Sequence, residues 1–290
     1  MIQDLEFGFL DNQYRPTEPA PGDVVVCARG KDLLVCRNED RSLTLPRWEQ
    51  VQQWAAASDW SHWYDQPLTY AFTLQEVRYF LWMGQAGEPG DGRFAYEGAA
   101  GLREPKSMDL CFGLMTAWHL YNWYRVNRYC GNCAQPTVHD SKERMMRCPH
   151  CGNLIFPRIA PAVIIGLTHG DKLMLAQSAL LARKRYGLLA GFVEIGETAE
   201  EAVAREVMEE VGLKVKNIRY YKSQPWGVVG NLSIGYFCDL DGEDAVHLDQ
   251  NELAMAGWFD RNALPPEAAD DGVSLTREMN RIFGEGREPK

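Results

Sequence analysis

Short apolar runs broken by turn residues dominate the first hundred positions. Asp23–Arg37, DVVVCARGKDLLVCR, sets two β-branched or apolar runs about Arg29-Gly30-Lys31 and predicts a hairpin. Pro46–Ala57 predicts a short helix carrying Trp48 and Trp54, Glu76–Met83 a further strand, and Gly84–Gly92 a loop by composition. Ser107–Arg128 spaces Leu110, Leu114, Trp118 and Tyr121 at three and four residues, the period of a helix. His62, His119 and the clustered tryptophans read as packing or hydrogen-bonded side chains. Pro157–Pro161 reads as a linker. Beyond it, Ala162–Leu167 and Lys172–Ala176 flank Thr168-His169-Gly170-Asp171, a second hairpin. Lys214–Ser223 and Leu232–Leu240 predict strands, Trp258-Phe259 a sheet-edge contact, and Ser274–Phe283 an amphipathic closing helix. No internal sequence repeat or low-complexity tract is visible.

One stretch carries more information than its periodicity. Gly191–Leu213 reads G-x5-E-x7-R-E-V-x-E-E-x-G-L, with Gly191, Glu197, Arg205, Glu206, Glu209, Glu210 and Gly212 at the fixed places. Thr198 followed three residues later by Glu201 is a capping-box signature, so a helix is expected from Ala199, with Gly212 as its left-handed stop. Val203, Val207 and Val211 recur every fourth residue and face a core. Glu206, Glu209 and Glu210 share another face. Like charges at that spacing oppose the helix by about a few tenths of a kcal/mol per pair. They are compatible with a solvated acidic face, or with a hard divalent cation held among their oxygens. Arg205 reaches Glu209 one turn on and is placed to hold it.

The charge balance narrows the partners. With 30 Lys and Arg against 40 Asp and Glu, the formal net charge is −10, which argues against broad affinity for nucleic acid or anionic lipid. No secretion leader and no apolar run of membrane-spanning length is evident, so a cytoplasmic protein without a membrane partner is expected. Of eight cysteines, four form two C-x-x-C pairs, Cys130/Cys133 and Cys148/Cys151, with 14 residues between the pairs. Four thiolates at this spacing suit one tetrahedral Zn²⁺ with no open position, a structural site. His150 lies inside the second knuckle as a bystander. So short a span has no core of its own, and the metal is expected to stabilise it.

The stretch from Gly191 matches the Nudix box without a mismatch. The four-cysteine ribbon before it and Ser223-Gln224-Pro225-Trp226 after it resemble the bacterial NADH pyrophosphatase subfamily of Nudix hydrolases, in an order that covers nearly the whole chain. The resemblance implies an α+β protein: an N-terminal mixed α/β domain over 1–126, a small zinc ribbon over 127–156, and a Nudix α/β/α sandwich over 157–290. It implies hydrolysis of the pyrophosphate bond of NADH or NAD⁺ to AMP and nicotinamide mononucleotide, and removal of NAD caps from RNA in some members. Further implied are Mg²⁺ or Mn²⁺ in catalysis, Zn²⁺ in structure, a dinucleotide substrate and a homodimer.

By that resemblance Glu206, Glu209, Glu210 and Glu252, with the Ala190 carbonyl, form the Mg²⁺ or Mn²⁺ site, and Arg205 belongs to the catalytic set. Glu210 or Glu252 takes the proton of the attacking water. Phe192 stacks on a base. Gln224, Pro225, Trp226, Gly227, Val228, Val229, Gly230 and Asn231 line the substrate, and Glu143, Phe156, Arg103 and Thr276 are further contacts. One departure stands out: the subfamily continues S-Q-P-W-P-F-P-x-S, whereas this chain continues S-Q-P-W-G-V-V-G-N. Loss of the prolines and phenylalanine predicts a more flexible loop with less apolar surface, and leaves ADP-ribose or another nucleoside diphosphate derivative as an alternative substrate. Two readings from other classes remain: a nucleic-acid-binding zinc module using Lys142, Arg144 and Arg147, diluted by Asp140 and Glu143, and a non-catalytic nucleotide sensor, which would be expected to have lost a box carboxylate.

Overall fold

The computed structural model describes residues 1–4, 9–55, 68–84, 92–101, 107–180, 185–269 and 272–289. Arg103, His62 and most of the 84–92 loop lie outside the described residues. The chain forms two compact units: one takes residues 2–158 with 227–230, the other residues 159–226 and 231–290 with Met1. No helix among the described residues is long and apolar enough to cross a membrane.

In the first unit β1 (Leu10–Asp11), β2 (Val24–Arg29), β3 (Asp32–Arg37) and β4 (Leu43–Thr44) precede helix α1 (Trp48–Ala55). Next come β5 (Leu68–Leu74), β6 (Val77–Trp82), β7 (Ala95–Gly98) and helix α2 (Met108–Val126). The expected hairpin is present: β2 and β3 pair antiparallel about Gly30, whose φ of 62° suits a residue without a Cβ. The strand order is β1-β5-β6-β2-β3-β4, with β7 also on β3, and β2 runs parallel to β6. Val25, Cys27, Leu34, Tyr70, Phe80 and Trp82 alternate onto one sheet face and meet Val51, Trp48 and Trp54 of α1. Helix α2 is apolar on nearly every side, with Cys111, Phe112, Leu114, Met115, Trp118, Leu120, Tyr121, Trp123 and Tyr124 all buried, so it is a core helix rather than an amphipathic cover.

The cysteine segment follows α2 as a small sheet of β8 (Val138–His139), β9 (Met146–Arg147) and β10 (Leu154–Ile155). Arg144 leaves this sheet for the N-terminal strands: it donates to Asn12 Oδ1 at 2.6 Å and to the Ala71 carbonyl, and lies over the Tyr14 ring.

The second unit runs β11 (Ala160–His169), β12 (Lys172–Ser178), β13 (Leu189–Phe192), α3 (Ala199–Val211), β14 (Val215–Trp226), β15 (Asn231–Leu240), β16 (Leu253–Asp260) and α4 (Leu275–Gly284). Its sheet order is β14-β15-β11-β12-β16, with β13 also on β11 and β11 parallel to β15. Period-two alternation sorts the core into two layers. Val163, Ile165, Leu167, Met174, Tyr236 and Cys238 face Val203, Val207 and Val211 of α3. Leu173, Leu175 and Phe237 face Leu275, Met279 and Phe283 of α4. Helices on both faces of one sheet make the α/β/α sandwich. Trp258 and Phe259 lie within β16, an edge strand.

The structure extends one expected strand. Lys214–Ser223 is the predicted span, and β14 runs on through Gln224 and Pro225 to Trp226, pairing with β15 to Trp226↔Asn231. Pro225 lacks an N–H, yet β14 is an edge strand, where a missing donor is tolerated.

The two units share a path that their sequences hide. In the first, β5-β6-β2-β3-β7 are ordered antiparallel, parallel, antiparallel, antiparallel. In the second, β14-β15-β11-β12-β16 repeat that order and those senses. Helix α1 stands in the chain where α3 stands, and α2 where α4 stands. The copies differ at the short strand before the first helix: β4 pairs with β3, whereas β13 pairs with β11.

Candidate active site

Helix α3 starts as its sequence dictates. The Glu201 N–H donates to Thr198 Oγ1 at 3.2 Å and the Thr198 N–H to Glu201 Oε2 at 2.7 Å, a complete capping box. Such a cap contributes about 1 kcal/mol. The helix stops at Gly212, φ 71°, where a Cβ would lie 2.8 Å from His247 Cβ. The chain after β15 returns to this end: the His247 N–H donates to the Val211 carbonyl at 2.9 Å and the Asp249 N–H to the Glu210 carbonyl at 3.0 Å. These bonds, which satisfy carbonyls left open by the helix terminus, place Glu252 beside α3.

The acidic face divides. Glu206 and Glu210 are buried, 9% and 6% exposed, while the side chain of Glu209 is 58% exposed. Arg205 ties the group together: Nε and Nη2 grip both oxygens of Glu197 at 2.7 and 3.0 Å, Nη1 donates to Glu206 Oε1 and Glu209 Oε2, each at 2.8 Å, and Nη2 also reaches the Phe192 carbonyl at 2.9 Å. Glu197 is the residue that sequence reasoning left out of the site. Its fixed place in the box was the available signal, and it takes the two-pronged half of the Arg205 fork. Gly191 lies in β13 against Glu206, with no room for a Cβ. Ala190, paired with Ile164, is exposed, and Phe192 is 55% exposed, an unusual position for an aromatic ring in a strand.

The electrostatics point to a missing positive charge. Burial, then Glu206, Glu252, Asp249 and Glu209, push the Glu210 carboxyl up to about 8. Burial also raises Glu206, against the pull of Arg205. Glu210 Oε2 is buried with no hydrogen-bond partner among the described residues. An orphaned carboxylate oxygen among other carboxylates fits a divalent cation of the Mg²⁺ or Mn²⁺ type, which prefers oxygen ligands.

The remaining sequence-assigned contacts separate. Gln224, 2% exposed, spends its whole amide inside the domain: Nε2 donates to the Val273 carbonyl at 2.8 Å, and Oε1 accepts from the Leu275 N–H at 2.7 Å. It thereby fixes the entry to α4, one residue before Thr276. Pro225 is exposed, Trp226 half-buried, and Asn231 Oδ1 buried without a partner among the described residues. Gly227–Gly230 belong to the N-terminal unit, seated on α2. A Cβ at Gly227 would overlap the Met115 carbonyl oxygen, and one at Gly230, φ 79°, would lie 3.2 Å from His119 Nε2. Gly227, which replaces one of the two expected prolines, and Gly230 therefore permit a close helix contact. Glu143 and Phe156, in the cysteine segment, are both exposed.

The four cysteines form the second centre. Cys130 and Cys151 Sγ are 3.6 Å apart and Cys133 and Cys148 Sγ 3.5 Å, and all four sulfurs fall within 4.8 Å of one another. Zinc–sulfur bonds of about 2.3 Å in a tetrahedron set sulfurs about 3.8 Å apart, so the set fits Zn²⁺. Both knuckles close alike, Ala134 N–H to the Cys130 carbonyl and Gly152 N–H to the Cys148 carbonyl, with Ala134 and Gly152 at φ 59° and 76°. Asn153 Nδ2 lies 3.5 Å from Cys130 Sγ, and His150 is exposed. Arg144 is occupied by Asn12 and Ala71, which removes one of the three cations a nucleic-acid-binding reading would need.

Comparison with known proteins agrees with both centres. Residues 157–279 match the NUDIX domain model, and residues 125–156 the NADH pyrophosphatase zinc ribbon domain. Over 149 residues the chain is 43% identical to a protein named NAD-capped RNA hydrolase NudC from Chromobacterium violaceum, covering 51% of this chain and 56% of that one. Over 146 residues it is 42% identical to the protein of the same name from Citrobacter koseri, covering 50% and 56%. The match thus spans a little over half the length of these curated relatives. A crystal structure of a NUDIX hydrolase from Nitrosomonas europaea aligns with a TM-score of 0.47 at 19% identity, over 55% of this chain and 91% of that one. Residues 157–279, which carry the buried acidic helix, thus match a NUDIX domain, and a zinc ribbon of the NADH pyrophosphatase type lies ahead of it at 125–156.

Proposed function

We propose that the protein hydrolyses the pyrophosphate bond of NADH or NAD⁺, with Mg²⁺ or Mn²⁺, to AMP and nicotinamide mononucleotide, and that it removes NAD caps from RNA. The observation that carries the reading is the buried pair Glu206 and Glu210, raised in pKa and with one oxygen of Glu210 unpartnered, beside an arginine that orients their neighbours. The names of the relatives matched over half of the chain support it.

In this reading Glu206, Glu209, Glu210 and Glu252, with the Ala190 carbonyl, hold the divalent ion. When bound, that ion neutralises the phosphates and acidifies water. Water adds to one phosphorus, the bridging P–O bond breaks, and Glu210 or Glu252 accepts the released proton. Arg205 keeps Glu206 and Glu209 aimed, so little reorganisation remains for the reaction itself. Phe192 offers its exposed ring to a base. Pro225, Trp226, the tip Gly227–Gly230, Asn231, Glu143, Phe156, Arg103 and Thr276 supply further contacts, while Gln224 acts by holding the α4 entry. The zinc ribbon is structural, and the protein acts as a cytoplasmic homodimer.

A second reading within the same chemistry is favoured by the altered tip. Without the expected prolines and phenylalanine, ADP-ribose or another nucleoside diphosphate derivative becomes the preferred substrate. One panel of NADH, NAD⁺, ADP-ribose, diadenosine polyphosphate and NAD-capped RNA, with either metal and product identification, separates these readings. Cleavage of none of them overturns both.

A further inference from the structure

A cavity of about 440 Å³ lies within the N-terminal unit, between α2 and the seated tip Gly227–Gly230. Lys31, Trp118, His119, Arg125, Val228 and Val229 line it, and no Asp or Glu is among its described lining residues, in a chain whose formal net charge is −10. Both cations are exposed, and neither has a carboxylate partner among the described residues. Arg125 makes only a 3.4 Å contact with Asn122 Oδ1. His119 serves as a wall, its Nε2 bonded to the Arg158 carbonyl at 2.8 Å.

The cavity exists because the tip can sit down. Its glycine at 227 meets the α2 backbone at Met115, and its glycine at 230 meets the His119 ring, so the two valines between them stand over the cavity. Val229 is 67% exposed, which leaves an apolar surface at the rim. Two cations with no carboxylate partner among the described residues, next to apolar side chains, in a space within the range of small-ligand pockets, describe a ligand with an anionic end and an uncharged body.

We propose that this cavity binds a small phosphate ester, about the size of a mononucleotide, with its phosphate held by Lys31 and Arg125 and its body against Val228 and Val229. The cavity shares Val228 and Val229 with the proposed substrate contacts, but the ester it takes has no pyrophosphate to cleave, so its occupancy is read apart from turnover.

The test is titration calorimetry on the full zinc-loaded chain with AMP, adenosine and inorganic phosphate as probes, without added Mg²⁺ or Mn²⁺. The parent is expected to bind AMP, to bind phosphate more weakly, and not to bind adenosine. Lys31→Ala and Arg125→Ala are each expected to weaken AMP at least about tenfold, with Arg125→Lys recovering part of the loss. Both positions are exposed, so circular dichroism and zinc content should match the parent. The proposal is wrong if the parent does not bind AMP, if either alanine variant binds it as the parent does, or if adenosine binds as tightly as AMP. Because no turnover is measured, a failure here leaves the hydrolytic reading untouched, and a failure of that reading leaves this result standing.

Discussion

Gly191 and Glu206 share a space that admits one side chain: a Cβ at 191 would overlap the Glu206 carboxyl group. The glycine of the box is thus a steric condition for burying the glutamate. Gly191→Ala should displace Glu206 from Arg205, lower turnover by about a hundredfold, and cost about 1–3 kcal/mol of stability as an overpacked site. Kinetics and urea denaturation check both. An alanine variant with parental turnover would show that Glu206 does not need this position.

Glu210→Gln keeps the shape of the side chain and removes its charge from the acidic group. Turnover should fall by about a hundredfold or more, with zinc content unchanged. Metal-free protein should be no less stable than the parent, since one of several mutually repelling carboxylates is gone. Parental turnover in excess Mg²⁺ would contradict the assigned role.

Cys148→Ser removes one of four sulfurs gathered within 4.8 Å. Zinc content should fall, and the ribbon should lose several kcal/mol of stability, seen as a lower melting temperature. Equal zinc and equal melting would dispose of the structural site.

Gln224 bonds two buried backbone groups, the Val273 carbonyl and the Leu275 N–H. Gln224→Ala should therefore cost about 2–4 kcal/mol in denaturant midpoint analysis. Loss of the α4 entry should also raise KM more than it lowers kcat, as expected if its effect on substrate is indirect.

Asp239 supplies the pH test. Burial alone would raise its carboxyl, but hydrogen bonds from Arg219, Asn217 and Thr168 outweigh burial and hold it below the usual 3.8. A carboxylate depressed in the folded state contributes stability above its unfolded pKa and loses it as pH falls through the folded value. The stability gap between the parent and Asp239→Asn should be full at pH 7 and close in strongly acidic solution. A gap independent of pH would show that the loss is one of packing.

Much of this arrangement is legible in the sequence because its determinants are local. Thr198, Glu201 and Gly212 fix both ends of α3, and Val203, Val207 and Val211 fix the face it buries. The cysteine spacing fixes the ribbon. What escapes is non-local. Gln224 looks like a substrate contact until Val273 and Leu275, some fifty residues on, are seen to bond it. The strand predicted over Lys214–Ser223 stops short because Pro225 ends most strands, and only the strand order reveals that β14 is an edge that runs on to Trp226. Gly227 reads as slack in the chain until α2 is placed beneath it.

The matching chain paths of the two units carry a consequence for engineering. Where α3 presents acids around Arg205, α1 presents Trp48, Val51 and Trp54 to its own sheet and carries Glu49 as its sole acidic residue. One scaffold thus accommodates either a reactive helix or an inert greasy one at the same topological station. Transplanting acids onto α1 would be a problem of supplying a Gly191-like vacancy and an arginine clasp, since the route of the main chain is already drawn.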